Sequence, residues 1–271
     1  MPDTSASLFP EPLPIAKAPA SAQAAARKPD LKKIEPEARL PMPESASASS
    51  SEADGGRRST AQQMATRQRE ISVSEFFTKN RHLLGFDSPL KALLTAVKEA
   101  VDNSLDACEE AGILPEIWVE LKPTTAEHFR MVVEDNGPGI VSEQIGKVFG
   151  KLLYGSKFHK LAQSRGQQGI GISAAGMYGQ LTTGKPVRIL SRTGKKADAH
   201  EFVMSIDTAR NKPDIHESKV VAWEREGAPK AHGTRVEIEM EAKYQKGLRS
   251  VDMFLKQTAI ANPHLTLHYD D

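Results

Sequence analysis

The chain has 271 residues and a formal net charge of +1. Its length allows one domain of ordinary size or two small ones, and its charge lacks the excess of Lys and Arg expected of a domain that holds nucleic acid mainly through its own surface. A single cysteine excludes an intrachain disulfide and a cysteine zinc cluster, which favours a reducing, cytoplasmic location. No run of 18 or more apolar residues occurs, so the sequence predicts no membrane contact.

The first 70 residues differ in composition from the rest. They hold one aromatic residue, Phe9, and nine of the 17 prolines fall within the first 50 positions, among repeated Ala and Ser. Such a stretch cannot bury enough apolar surface to order itself, so we expect residues 1–70 to form a disordered Pro/Ala/Ser-rich extension. The extension either serves as a tether or partner-binding tail, or it has no fixed role. Acidic residues argue against an organelle transit peptide: Asp3, Glu11, Asp30 and Glu35.

The first predicted helix runs from Ser88 to Gly112. Ser88 is a good N-cap, Pro89 suits the first helical position, and Gly112 is a natural C-terminal stop. Glu99 and Asn103 are four residues apart, so both side chains project from one face of this helix. Apolar residues recur at steps of three and four and form a stripe for the core: Leu90, Leu93, Leu94, Val97, Val101 and Leu105.

Two strands and a turn follow this helix. Residues 117–122 and 129–135 alternate apolar and polar side chains, which is the period of a strand with one buried face. The second strand runs into residues 135–139, Asp-Asn-Gly-Pro-Gly, whose glycines allow a positive φ and a close approach to a ligand.

The remaining elements favour an α+β fold. A helix is predicted over 142–153, then a long polar connection over 154–171 of the kind that forms lids or binding loops, and a last helix over 247–261. Strands that follow one another with few helices between them indicate a two-layer α/β sandwich, with a mixed, mainly antiparallel sheet and helices on one face. The later strands are predicted at 187–192, 201–207, 219–226 and 234–241.

The glycine-rich segment Gly166–Gly171 precedes a plausible helix start. Backbone N–H groups there, with the positive helix end, suit phosphate oxygens. The segment matches neither the dinucleotide pattern GxGxxG nor the P-loop pattern, so an ordinary flexible loop remains the alternative.

Three polar side chains suit nucleotide chemistry. Asp135 can accept a hydrogen bond from the amine of adenine, where guanine would present an acceptor instead, although the same residues also make a good turn. Glu99 can take a proton from water, and the neutral amide of Asn103 suits a magnesium ion crowded by phosphate charge. An incidental polar residue on a helix is the alternative for Asn103.

Together these signals, in the order helix, strand turn, glycine loop, resemble the GHKL (Bergerat-fold) ATPases. More narrowly, the chain from about Ser74 onward resembles the B subunit of DNA topoisomerase VI. The segments that carry this likeness are KNRHLLGF (79–86), KEAVDNSLDACEEAGILP (98–115), VVEDNGPGI (132–140), VFGKLLYGSK (148–157) and SRGQQGIGIS (164–173).

The resemblance implies ATP and Mg²⁺ as cofactors and gives each residue a role. Glu99 would be the general base, Asn103 the magnesium ligand and Asp135 the acceptor for adenine. Thr234 would support the adenine pocket from a strand, and residues 166–171 would cover the phosphates. The nucleotide contacts implied are Asn103, Asp135, Gly139, Lys157, Gly166, Gln167, Gln168, Gly169, Ile170, Gly171 and Thr234.

The resemblance also implies a role within an assembly. Residues 71–271 would be the ATPase domain of a type II topoisomerase that self-associates on binding ATP, forms a heterotetramer with an A subunit, and meets DNA through the assembled enzyme. The B subunit continues into a helix-two-turn-helix domain and a transducer domain that supplies a lysine to the γ-phosphate, and we expect neither here.

Two other functions remain open at this stage. A histidine protein kinase would need a phosphoacceptor histidine on a helix upstream of the nucleotide domain. A non-catalytic ATP switch would associate on binding nucleotide with negligible turnover, and the missing lysine leaves this alternative open.

Overall fold

The computed structural model describes residues 71–152, 154 and 170–271. The predicted extension over 1–70 and most of the predicted lid lie outside these residues. The described helices are α1 Val73–Asn80, α2 Pro89–Ala111, α3 Ser142–Gly150, α4 Gly171–Thr183 and α5 Val251–Ala261. The strands are β1 Glu116–Pro123, β2 His128–Asp135, β3 Val187–Arg192, β4 Ala199–Asp207, β5 Lys212–Val221, β6 Glu224–Arg225, β7 Ala228–Pro229, β8 Gly233–Glu241 and β9 Thr266–Asp270.

Seven of the strands form one sheet in the order β5-β4-β3-β8-β2-β1-β9. Every neighbouring pair is antiparallel except β1 and β9, which are parallel. β6 and β7 form a separate short hairpin. Residues Glu226 and Gly227 both have positive φ angles, of 53° and 79°, as a tight two-residue hairpin turn requires.

The core lies between the sheet and one layer of helices. Alternate side chains on each central strand face this core, as with Ile117, Val119 and Leu121 on β1. The other face carries ion pairs, such as Arg188 with Glu201 at 3.2 Å. The predicted two-layer α/β sandwich, with a mixed and mainly antiparallel sheet, is therefore confirmed.

Helix α2 begins and ends where its capping residues predict. The Ser88 side chain accepts a hydrogen bond from the Lys91 N–H, and Pro89 is the first helical residue. Gly112 adopts a left-handed conformation, φ 66°, and its N–H bonds the Glu109 carbonyl. These caps determine the first and last residues of the helix, and so the turns of α2 on which Glu99 and Asn103 lie.

The predicted strand over 219–226 is wrong in its limits. β5 occupies Lys212–Val221, and the chain then leaves the sheet to form the β6–β7 hairpin. Most side chains of this edge strand are exposed, so it lacks the alternation of buried and exposed residues that marks a strand with one buried face. The predictions also lacked α1 and β9, and they extended α3 to 153 and began α5 at 247.

No helix in the described part of the chain is long and apolar enough to cross a membrane.

Candidate functional site

A cavity of about 250 Å³ lies between α2 and the strands β2 and β8. Its walls are mainly apolar, from residues such as Ala100, Val133 and Val236, with a few polar groups among them. Such a lining, apolar with few convergent polar groups, is typical of small-molecule sites. The polar and glycine residues at the cavity are Glu99, Asn103, Ser104, Asp135, Gly139, Tyr154, Gly171 and Thr234.

Asp135 is the buried carboxylate of this cavity. It ends β2 and is only 6% exposed. Its Oδ1 accepts hydrogen bonds from the backbone N–H groups of Gly137 at 2.8 Å and Thr234 at 3.0 Å, while Oδ2 accepts from the Ser104 hydroxyl at 2.9 Å. Burial raises the pKa of Asp135 above its ordinary value, and the three donors oppose that rise. Since each carboxylate oxygen has two acceptor positions, Oδ2 keeps one for a ligand.

Glu99 and Asn103 line the cavity from α2, one helical turn apart. The Glu99 carboxylate lies directly against the backbone of Gly171, the first residue of α4. A Cβ atom at position 171 would overlap the carboxylate of Glu99. The glycine therefore allows the first turn of α4 to approach the face of α2 that carries both polar side chains.

The backbone around Asp135 depends on glycine at two positions. Gly139 has φ 74°, and a Cβ there would overlap the Arg192 carbonyl oxygen. Gly233 has φ 142°, and a Cβ there would overlap the carbonyl oxygen of Asp135. Both substitutions would strain the backbone as well as displace a rigid neighbour, so the sheet closes tightly around this turn.

Sequence reasoning missed Ser104, Ser191 and Gly233. The Ser191 hydroxyl accepts from the Ile140 N–H at 2.8 Å and donates to the Gly233 carbonyl at 3.1 Å, which ties the turn after β2 to β3 and β8. Ser104 follows Asn103 on α2, so its helical position was a usable signal. The sequence around Ser191 and Gly233 carries no comparable signal, because the role of both residues depends on the pairing of β3 with β8.

The structure brings together many of the residues predicted to contact a nucleotide. Glu99, Asn103, Asp135, Gly139, Gly171 and Thr234 all line the one cavity. The side chain of Ile170 is buried in the core, and its carbonyl accepts the Ala174 N–H in the first turn of α4, so its predicted nucleotide contact stays a prediction. The predictions for Lys157, Gly166, Gln167, Gln168 and Gly169 lie outside the described residues.

A family profile described as "Histidine kinase-, DNA gyrase B-, and HSP90-like ATPase" matches residues 90–244, which is more than half of the chain. The chain belongs to this ATPase family. The profile begins at the second residue of α2 and ends just after β8, so it includes both walls of the cavity. The resemblance to GHKL ATPases is thereby confirmed, and with it an ATP-binding domain.

Relatives of this ATPase domain carry a more specific name. The B subunit of type 2 DNA topoisomerase 6 from Methanosarcina barkeri is 56% identical over 205 residues, covering 75% of this chain and 32% of that protein. The protein of the same name from Archaeoglobus fulgidus is 52% identical over 207 residues, covering 76% and 33%. The chain thus spans about a third of the length of these relatives.

A solved structure is also similar in part. The 43K ATPase domain of Thermus thermophilus gyrase B, in complex with an aminocoumarin, matches 71% of this chain and 48% of its own, at 19% identity and a TM-score of 0.45.

Replacing Gly171 with Ala tests the contact between α4 and Glu99 in this ATPase domain. The added Cβ would overlap the end of a flexible side chain, so we expect Glu99 to be displaced while the fold persists. If Glu99 assists the attack of water, ATP turnover should fall by about 100-fold, the lower end of what such assistance contributes. The measurements are phosphate release and thermal unfolding.

Gly194→Ala is the matched control, because a Cβ there meets nothing within 4 Å. Parental ATP turnover by Gly171→Ala would show that the function of Glu99 does not depend on the close contact between its side chain and the start of α4.

Proposed function

We propose that this chain is the ATP-binding and hydrolysing part of a type II DNA topoisomerase of the topoisomerase VI B kind. The observation that carries the proposal is the convergence of Glu99, Asn103 and Asp135 on one cavity. ATP hydrolysis at such a site requires three groups: a carboxylate that can activate water, an amide suited to a metal ion, and a buried acceptor for adenine.

In the proposed site, Asp135 accepts a hydrogen bond from the adenine amine through Oδ2, and Thr234 supports it from β8. Its Oδ1 is already occupied by two backbone donors, so the carboxylate holds a fixed orientation. Glu99 takes a proton from the attacking water. Reactions of this type depend on positioning and charge stabilisation more than on covalent chemistry, which suits a site whose described walls come from α2, α3, α4 and one end of the sheet.

A magnesium ion fits the residues at the cavity. Asn103 offers one neutral oxygen, and no group of three or more His, Cys, Asp or Glu side chains in the described part of the chain is placed to hold a metal. Mg²⁺ commonly takes few protein ligands and completes its shell with phosphate oxygens and water. When bound, the ion would neutralise negative charge on the phosphates.

The proposal assigns DNA cleavage to a separate A subunit. The four tyrosines of this chain are engaged elsewhere: Tyr178 is buried, the Tyr154 hydroxyl donates to Gln144 at 2.8 Å, and the hydroxyls of Tyr244 and Tyr269 lie 3.1 Å apart. None is presented as a nucleophile for DNA. With a net charge of +1 the chain also lacks the cation excess for strong phosphate contacts.

In the assembly we propose, ATP binding causes two ATPase domains to associate and so closes a gate around DNA, within a heterotetramer formed with the A subunit. The DNA substrate implies a cytoplasmic location. The 52–57% identity to proteins named as the B subunit of topoisomerase 6 supports this choice over a histidine kinase.

The proposal predicts that this chain binds ATP but does not by itself change DNA topology. Purified chain is incubated with supercoiled plasmid, Mg²⁺ and ATP, with and without a cognate A subunit, and the products are separated on agarose. Relaxed or linear DNA from the chain alone would overturn the division of labour. Sedimentation with a non-hydrolysable ATP analogue tests for association.

The same samples separate the two alternative functions. Transfer of label from γ-labelled ATP to a histidine of the chain would favour a protein kinase. Association on ATP binding with no phosphate release, alone or with the A subunit, would favour a non-catalytic switch.

A further inference from the structure

Glu134 precedes Asp135 on β2 and therefore points to the opposite face of the sheet from the cavity. It is a charged residue with only 2% of its surface exposed. Three cations surround its carboxylate: Lys230 Nζ lies 3.1 Å from Oε1, and Arg225 Nη1 and Arg235 Nη1 each lie 3.2 Å from Oε2. The site of ATP chemistry uses none of these four groups.

Two of the cations belong to the hairpin segment, residues 223–232, which contains β6 and β7. Lys230 Nζ lies 3.7 Å from the centre of the Trp118 ring, and Arg225 Cζ lies 4.2 Å from it. Cations over an indole face add attraction to the ion pairs. Glu134 and Trp118 together therefore hold the hairpin segment against the outer face of β1 and β2.

The same segment continues into the nucleotide site. The Arg192 guanidinium donates to the Lys230 carbonyl at 2.7 Å, and His232 Nδ1 lies 2.8 Å from the Gly137 carbonyl oxygen. The backbone N–H of Thr234 then bonds Asp135 Oδ1. A continuous run of contacts thus joins the Glu134 carboxylate on one face of β2 to the Asp135 carboxylate on the other.

We propose that Glu134 is a positioning residue for nucleotide recognition. Its ion pairs with Lys230 and Arg225 fix the hairpin segment, and its ion pair with Arg235 fixes the start of β8. The segment in turn fixes the two backbone donors, the N–H groups of Gly137 and Thr234, that orient Asp135. Burial of a carboxylate carries a desolvation cost that apolar residues of similar volume would avoid, so stability alone is a weak reason for this cluster. The part of the inference that concerns affinity rests on the proposed binding of ATP.

Glu134→Gln removes the charge and keeps the shape. We expect the chain to bind ATP about twofold to 150-fold more weakly, the range of effects found for residues coupled within one network, with a smaller preference for ATP over GTP. The kcat should be unchanged, because Glu99 and Asn103 lie on α2 and not on the hairpin segment. Lys230→Met, which keeps an aliphatic side chain, should weaken binding in the same direction.

Glu237→Gln is the matched control. Glu237 lies on the same face of the sheet, pairs with Val132 on β2, and among the described residues forms an ion pair with Arg130 at 3.9 Å and none with Glu134 or the hairpin segment. Its loss should leave the Kd for ATP and the nucleotide preference unchanged.

Amide hydrogen exchange tests the positioning without any nucleotide. In Glu134→Gln the N–H groups of Gly137 and Thr234 should exchange faster, while those in the middle of α2 stay as slow as in the parent chain. Unchanged exchange at both amides would overturn the inference, as would a lower melting temperature with parental ATP affinity. Faster exchange in a chain whose parent binds no ATP would support the positioning role and reject the proposed function.

Discussion

Replacing Glu99 with Gln is expected to remove most ATP turnover while leaving ATP binding near the parental level. The amide keeps the shape of the side chain against Gly171, but it cannot take a proton from water. Assistance by a general base contributes about 100-fold to 10,000-fold, so the rate should fall within that range. Phosphate release and equilibrium binding of ATP are measured on the same samples.

Glu110→Gln serves as the matched control for this prediction, because Glu110 is exposed near the end of the same helix, away from the cavity. Asn103→Ala should give the opposite pattern to Glu99→Gln, with weaker magnesium-dependent binding. Hydrolysis by Glu99→Gln at the parental rate would require a different residue as general base.

The most local parts of the fold could be predicted from the sequence. Ser88, Pro89 and Gly112 act on their own neighbours, so the limits of α2 follow from capping alone. Alternate apolar residues of β1 and β2 face the core, such as Ile117 and Val119, and that period is visible in the sequence even though the outer face of β2 is also covered, at Val132 and Glu134. Local chemistry thus sufficed for the elements that carry Glu99, Asn103 and Asp135.

The edges of the sheet could not be predicted in the same way. β5 lies at one edge, and most of its residues are exposed on both faces. β9, at the other edge, has Thr266, His268 and Asp270 exposed and pairs in parallel with β1, a strand about 150 residues earlier in the chain. β5 buries no full apolar face, so it produces no hydrophobic period. β9 does alternate, with Leu267 and Tyr269 partly buried between exposed neighbours, but only over five residues at the edge of the sheet.

In the candidate site, too, the local features could be predicted and the long-range contacts could not. Asp135 could be recognised because a carboxylate before a glycine turn is a local pattern. Its partners Ser104 and Thr234 are 31 and 99 residues away in sequence, and they meet it only through packing and strand pairing. The positions of β2, β3 and β8 in the sheet order determine which donors reach the carboxylate, and a single sequence does not contain that order.

The second large effect is expected at Asp135, which we propose selects adenine. In Asp135→Asn the amide oxygen can still accept from Gly137 and Thr234, which places the NH₂ group where Oδ2 now lies. The Ser104 hydroxyl can turn to accept from that NH₂ group. The amine of adenine would then face a donor, and the loss of a charged hydrogen bond costs about 1.5 to 3 kcal/mol, or tenfold and more in Kd.

Guanine carries an oxygen where adenine carries its amine, so the same NH₂ group would favour it. We therefore expect Asp135→Asn to bind ATP more weakly and GTP more strongly than the parent chain, measured by calorimetry with both nucleotides. Asp214→Asn, an exposed change on β5, is the control and should alter neither. Unchanged ATP affinity in Asp135→Asn would remove Asp135 from the adenine site.

Acidification provides an independent test of the same carboxylate. Because burial raises the pKa of Asp135 above its ordinary value of 3.8, the group should take up a proton at a higher pH than an exposed aspartate. The protonated form is a poorer acceptor, so the affinity for ATP should fall as the pH drops toward that raised pKa. Asp135→Asn cannot titrate, and ATP protonates equally in both experiments. The ATP affinity of the parent chain divided by that of Asp135→Asn should therefore fall on acidification. A ratio independent of pH would contradict a direct role for this carboxylate.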